Sequence, residues 1–173
     1  HASRWLEAIQ RYGITHSGAP NFAYRRCVET IAPEDRAKLD LSGWQVASCG
    51  AEPIAPDTAA RFLEAFGPVG FRREAFYPAY GMAEYTLLIS LKRQGVPPTI
   101  QALDAAALQQ GVVARLESGA APVRNVVGCG VPVGDTEVVD QLQQLTDLHV
   151  MLDHAVVVLV AALAGQALVF RLH

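Results

Sequence analysis

Five consecutive residues, Tyr80, Gly81, Met82, Ala83 and Glu84, combine an aromatic ring, a glycine and a carboxylate in one short string. An aromatic face can stack on a purine, glycine lets a ligand approach the backbone, and a glutamate oxygen suits a magnesium ion bridging phosphates. Nucleotide binding is the chemistry to expect there. A second string, Cys49, Gly50, Ala51, Glu52 and Pro53, offers small residues that leave room for a flat ring and backbone groups that could bond it. Glu52 itself reads as a cap or surface acid for the helix beyond Pro56, the backbone of its loop doing the binding.

Both strings need elements to hold them. Trp44 to Ser48 is short, apolar and bounded by Gly43 and Gly50, as a buried strand delivering Cys49 to Pro53 to a loop would be. A further strand near Ala75 to Ala79 feeds Tyr80 and Gly81. Between them, the helix after Pro56 carries Ala59, Phe62, Leu63 and Phe66 inward and ends at Gly67 and Pro68. In open α/β sheets ligands gather at the carboxyl ends of strands, and this reading puts both loops there.

Upstream, Trp5, Leu6, Ile9 and Tyr12 fall at helical spacing, with Gly13 where a left-handed cap stops a helix. Thr15 to Asn21 is a cluster of turn formers, and helical periodicity resumes from Phe22 to Ile31. Pro33, with Glu34 and Asp35 after it, opens another helix. Downstream, residues 92 to 125 change character: Gly95 to Pro98 opens an Ala-rich, helix-like stretch closed by Gly119 to Pro122, which reads as an insertion. Val126 to Val139 is strand-like again, and the alternation of strands and helices gives an α/β class. Ala155 to Phe170 is apolar but shorter than the roughly 20 residues of a membrane span, and reads as a buried or misplaced helix.

The 173 residues carry a net charge of -3, and the Arg pairs Arg25–Arg26 and Arg72–Arg73 stand isolated, so nucleic acid is not an expected partner. Cys27, Cys49 and Cys129 lie far apart, without the pairing of zinc sites or disulfide frameworks, which points to a reducing, cytoplasmic setting. His149 and His154 are five apart, the wrong spacing for a zinc pair on one helical face. The first residue is not Met and no signal architecture opens the chain, so the sequence reads as beginning mid-protein.

The succession of Thr15, His16, Ser17, Gly18, Ala19, Pro20, Asn21, Phe22, Ala23 and Tyr24, then Gly50 to Pro53, then Tyr80 to Glu84, resembles fatty acyl-AMP ligases in order and spacing, from about Trp5 to Val139. That resemblance implies the fold of the large N-terminal domain of an adenylate-forming enzyme, strands with helices on both faces. It implies activation of a fatty acid with ATP and Mg2+, for transfer to an acyl-carrier protein or to a carrier domain of a polyketide or peptide synthase. By the same resemblance Gly50, Ala51, Glu52 and Pro53 line the adenine, and Tyr80, Gly81, Met82 and Ala83 complete that pocket. Glu84 would bind magnesium and be the catalytic carboxylate. His16, Ser17, Gly18 and Phe22 would border the acyl chain. Phe76 and Tyr77 read as packing residues, as do Phe22 and Tyr24, some of them also lining the tunnel.

Ala83, where relatives outside this branch commonly have Thr, and the insertion at 92–125 favour this branch over acyl-CoA synthetases. Cys49 and Met82, where Asn and Leu are usual, depart from it. The family's phosphate loop, its ribose-binding Asp in a Thr-Gly-Asp motif and its C-terminal Lys have no counterpart here; the two lysines, Lys38 and Lys92, stand in no Gly-rich context. The expectation is therefore a partial adenylation domain at 1–140, with a tail at 141–173 that does not match the family and would fit a shifted frame, a truncated product or a divergent helix. The alternatives are a piece of an acyl-CoA synthetase, or a noncatalytic remnant that binds an acyl chain or nucleotide.

Overall fold

The computed structural model describes residues 1–109, 114, 122–134, 136–140 and 168–172. The expectations for the closing part of the insertion, for residues 141–167 and for the two histidines at 149 and 154 lie outside the described residues. The chain divides into two compact units, one of residues His1–Pro78 with Gln94–Pro98, the other of Ala79–Arg93 with Thr99–His173. Among the described residues no helix is long and apolar enough to cross a membrane.

The first unit opens with α1 (Ser3–Arg11), which buries Leu6 and Ile9. Gly13 adopts φ +60, and the amides of Gly13 and Ile14 donate back to the carbonyls of Gln10 and Ile9. This is the glycine-closed helix end that the sequence predicts. Tyr12 is 70% exposed, because it sits beyond the last helical residue rather than on the apolar face.

Next comes a departure from the sequence reading. Thr15 to Asn21 is not a turn: His16–Pro20 forms β1, leading directly into α2 (Asn21–Thr30). Pairing with β2 (Val46–Gly50) overrides the turn-forming composition, His16 facing Val46 and Pro20 facing Gly50 in parallel register. Gly18 lies opposite Ser48, where a Cβ would meet Ser48 Oγ at 1.9 Å and its carbonyl oxygen at 2.9 Å, so only glycine lets the strands close up there. α3 (Pro33–Arg36) has Pro in its first turn followed by Glu34 and Asp35, as the sequence predicts.

β2 begins two residues later than the sequence suggests, because Trp44 is not in it. Trp44 is a fully buried loop residue whose indole N–H donates to the Val46 carbonyl at 2.9 Å. α4 (Thr58–Phe66) buries Phe62 and Phe66, and β3 (Phe76–Tyr80) pairs parallel to β2, Ala47 facing Phe76 and Cys49 facing Pro78.

Side chains alternate along a strand, so Ser17, Ala47 and Phe76, aligned by register, share one sheet face. The helices cover that face through an aromatic cluster. Tyr24 of α2 meets Trp5 at 5.2 Å, Phe62 at 5.2 Å and Phe76 at 5.3 Å, each edge to face. Phe62 in turn meets Phe66 at 4.5 Å and Phe71 at 4.8 Å. Rings of this size supply most of the apolar area a small unit can bury, and edge-to-face contacts add directional preference.

In the second unit, Ala79 and Tyr80 at the end of β3 pair antiparallel with β4 (Ser90–Leu91). The segment that reads as an insertion holds β5 (Ile100–Asp104), α5 (Ala105–Gln109) and the start of β6 (Val123–Val127), which runs two residues past it, so a strand pair accompanies the expected helix. Asp104 Oδ1 caps α5, accepting the amides of Ala106 at 2.8 Å and Ala107 at 3.0 Å. β7 (Val131–Pro132) pairs with β4, and β8 (Thr136–Asp140) pairs with β9 (Leu168–Leu172). The apolar run ending at Phe170 reads as helical in sequence, but its described end is strand: Val138 faces Phe170 across that pair.

Candidate functional site

Parallel pairing makes β1 and β2 release their chains at the same edge, so Asn21 and Phe22 on one side and Gly50 to Pro53 on the other start from neighbouring strand ends. The two segments are tied together twice. Phe22 N–H donates to Glu52 Oε1 at 2.6 Å, and Ala55 N–H donates to Asn21 Oδ1 at 3.1 Å. Glu52 is therefore a helix cap, as its chemistry suggests, but for α2 rather than for the helix beyond Pro56. The residue before α2 is Pro20, whose side chain offers no acceptor, so the carboxylate fills the role that a Ser or Asp at that position would have filled.

Just before the ties the backbone bends sharply. Ala51 adopts φ +63, in the left-handed region that disfavours residues with a Cβ. Ala51, Glu52 and Pro53 are exposed, whereas Ile54 is buried. An apolar anchor thus follows a solvent-facing bend.

The residues expected to border an acyl chain do not all face one way. Ser17 Oγ accepts the Trp5 indole N–H at 3.0 Å, on the helix-covered face. His16 and Gly18, at alternate positions, lie on the other face and are exposed; His16 Nδ1 is 2.9 Å from Thr15 Oγ1. Phe22 is 58% exposed, so it does not pack in the core as the sequence suggests, while Tyr24 is fully buried and donates its hydroxyl to the Ser48 carbonyl at 2.8 Å. Phe76 and Tyr77 are buried, as packing residues should be.

In the second unit, Tyr80 to Glu84 opens a tight loop. Ile89 N–H donates to the Tyr80 carbonyl at 3.0 Å, and the amides of Tyr85 and Leu87 both donate to the Met82 carbonyl, at 3.1 and 3.0 Å. Glu84 sits in the single 3-10 turn Ala83–Tyr85. Thr86 and Leu87 then take φ +54 and +82, two consecutive left-handed residues without glycine. Gly81 makes this closure possible, since a Cβ there would stand 1.5 Å from the Leu87 carbonyl oxygen. Tyr80, Met82 and Tyr85 pack against buried Ile89. Burial, and secondarily Cys129, pushes the Tyr80 phenol above its ordinary range, so the ring stays neutral.

Three features escape a reading of the sequence. Asn21 reads only as a turn former, yet it is a buried amide that fastens the loop after β2. Leu87 and Ile89 look like generic apolar residues, and no local pattern reveals a left-handed leucine. A cleft of about 630 Å³ in the first unit is lined by Val28, Pro33, Arg36, Arg61, Glu64 and Val69, and by none of the site residues. Its Arg36 is already engaged by the carbonyls of Ile31 and Val28 and by the Phe66 ring, so we assign it no ligand.

Comparison with known proteins gives this geometry a context. The family described as AMP-binding enzyme matches residues 1–150. The medium-chain-fatty-acid–[acyl-carrier-protein] ligase JamA of Moorena producens is 48% identical over 137 residues, 78% of this chain and 23% of that protein. A structure from a study of fatty acyl-adenylate ligases of E. coli and L. pneumophila superposes with a TM-score of 0.77 at 31% identity, covering 82% of this chain and 26% of that one. The L. pneumophila fatty acyl-adenylate ligase in complex with acyl adenylate and pyrophosphate gives a TM-score of 0.71 at 39% identity, with 79% and 24% covered. The chain thus spans about a quarter of the length of the relatives it matches.

Proposed function

Because the chain belongs to the AMP-binding enzyme family, we propose that it is part of a ligase that activates a fatty acid as its acyl-AMP and hands the acyl group to an acyl-carrier protein or carrier domain. The observation that carries this reading is the release of Asn21–Phe22 and Gly50–Pro53 from neighbouring parallel strands, tied to each other by Glu52 and Asn21. An acyl segment and a nucleotide loop start side by side, as a reaction joining a carboxylate to a nucleotide requires.

In the reaction, a fatty carboxylate oxygen attacks the α-phosphorus of ATP, and the bond to the leaving pyrophosphate breaks. No protein nucleophile takes part. The protein supplies position: in the first unit the backbone of Gly50, Ala51, Glu52 and Pro53 for the adenine, with His16, Gly18, Phe22 and the backbone of Ser17 for the acyl chain, and in the second Tyr80, Gly81, Met82 and Ala83 as a nucleotide-contacting string. A magnesium ion suits this donor set. Such an ion takes one or two protein carboxylates and fills its remaining positions with phosphate and water, so a single carboxylate, Glu84, is a sufficient protein ligand. When bound, the metal neutralises charge developing on the phosphates. The segment from 92 to 125 is proposed as the insertion that distinguishes this branch, and the cytoplasm as the setting.

ATP–pyrophosphate exchange by the complete ligase tests the proposal, and should depend on added fatty acid. Offering CoA beside a carrier protein then distinguishes the branches, since acyl transfer to the carrier is expected, whereas rapid acyl-CoA formation would assign the enzyme to the acyl-CoA synthetases. Exchange that ignores fatty acid would reject both. Saturable binding of a non-hydrolysable acyl-AMP analogue without any exchange would leave a noncatalytic binding remnant.

A further inference from the structure

We infer that Glu52 is a positioning residue: by holding the loop Gly50–Pro53 on the first turn of α2, it makes the nucleotide loop and the acyl segment one rigid piece, so that filling one favours filling the other. The inference rests on the function proposed above, and assigns within it a role to a side chain that the reaction itself does not require.

α2 begins with an unsatisfied donor. The first amides of a helix have no partner inside the helix, and Pro20 before α2 has no side-chain acceptor to give them. Glu52 comes from 30 positions away in sequence to accept Phe22 N–H at 2.6 Å, a short, charge-assisted bond at the positive end of a helix dipole. That contact fixes where the carboxylate is, and hence the path of the loop that carries it. The second tie runs the opposite way: Asn21, only 6% exposed, accepts Ala55 N–H at 3.1 Å. One segment gives an amide and takes a carboxylate; the other gives an amide and takes a side-chain carbonyl.

Ala51 lies just before these ties with φ +63, a conformation an alanine leaves when nothing holds it. Remove the Glu52 bond and the bend at Ala51 has lost its nearest restraint. The backbone groups of Gly50 to Pro53 then move away from the positions offered to a purine. Conversely, an acyl chain packed against exposed Phe22 steadies the first turn of α2, and through Glu52 steadies the loop. Two sites sharing one restraint must be energetically coupled, and the coupling is the same in both directions.

The test uses the complete ligase as wild type, Glu52→Ala, Glu52→Gln and Asn21→Ala. Exchange kinetics give KM for ATP and for fatty acid, and titration with a non-hydrolysable ATP analogue, with and without fatty acid, gives the coupling. Wild type is expected to bind the analogue several-fold more tightly when the acid is present. Glu52→Ala should raise both KM values about tenfold, leave kcat within about twofold and bring the coupling factor close to one. Glu52→Gln keeps an acceptor for Phe22 N–H and should stay within about threefold of wild type, whereas Asn21→Ala should resemble Glu52→Ala. Should Glu52→Ala fail to fold, Glu52→Asp takes its place, its carboxylate one methylene too short to make the bond without moving the loop, with a partial rise in both KM values expected. A folded Glu52→Ala or Glu52→Asp enzyme with unchanged KM values and undiminished coupling overturns the inference and leaves the proposed function standing. A wild-type enzyme without fatty-acid-dependent exchange instead overturns that function.

Discussion

Gly81 illustrates how one missing side chain can govern a loop. From the sequence its value lies in letting a ligand approach the backbone, but its nearest neighbour is the Leu87 carbonyl of its own loop, 1.5 Å from where a Cβ would stand. Gly81→Ala should therefore open the Met82–Leu88 turn and move Glu84 with it. Affinity for a non-hydrolysable acyl-AMP analogue should drop by at least about tenfold, measurable by titration calorimetry, because overlap with backbone cannot be relieved by a rotamer change. The thiols give a second prediction at this scale. Burial pushes Cys27 from its ordinary value of 9.0 up to about 11 and Cys129 up to about 12. Both should resist iodoacetamide at neutral pH in the native protein and react fully after denaturation, as peptide mass spectrometry would report. Above pH 9 the unfolded chain loses these protons while the folded one keeps them, so stability should decline as pH rises from about 9 toward the folded values and be insensitive to these groups below that. A denaturation midpoint that rises over that interval would contradict the assignment.

At the scale of elements, the strand hidden from local sequence reading is the most instructive. His16–Pro20 contains Gly and Pro and reads locally as a turn, yet its backbone finds a continuous partner in β2. Strand pairing of this kind is a long-range property that no window of neighbouring residues contains. Helix ends are different, because their signals are local: Gly13 closing α1, Pro33 opening α3 and Asp104 capping α5 each act within a few residues of where they sit. The candidate site divides in the same way. Its two strings are legible because their composition is unusual, whereas the Glu52 and Asn21 ties are not, since they span 30 and 34 positions. Disturbing β1 should carry a measurable cost. In Gly18→Ala, the new methyl meets the Ser48 carbonyl oxygen at 2.9 Å, so the β1–β2 spacing has to widen even if the Ser48 hydroxyl turns away. A loss of about 1–3 kcal/mol is expected in urea denaturation, with affinity for the nucleotide falling as the edge that releases both loops shifts. Unchanged stability would mean that the two strands have slack at this point.

On the scale of the whole molecule, the decisive quantity is the supply of mobile positive charge. Transfer at the α-phosphorus of ATP leaves a pyrophosphate, and an enzyme stabilises that leaving group with cations aimed at it. The chain has two lysines. Lys38 is exposed and bonded to Asp35 at 2.7 Å, in the turn that follows α3. Lys92 is 5% exposed, its ammonium 3.4 Å from the Arg93 carbonyl, and a buried ammonium of this kind cannot swing to meet a departing anion. The 14 basic residues are outnumbered by 17 acids, so no strong positive field compensates. The adenine loop, the acyl segment and a metal-binding carboxylate are the contributions proposed for this chain, and neither lysine is placed to stabilise the leaving group. The 173-residue polypeptide on its own should consequently catalyse no ATP–pyrophosphate exchange above a heat-killed control, with fatty acid and Mg2+ saturating. Exchange that appears in a pure sample, requires fatty acid and vanishes in Glu84→Ala would show that these residues suffice. The departing pyrophosphate would then be stabilised from within this chain, and no cation from the rest of the ligase would be needed.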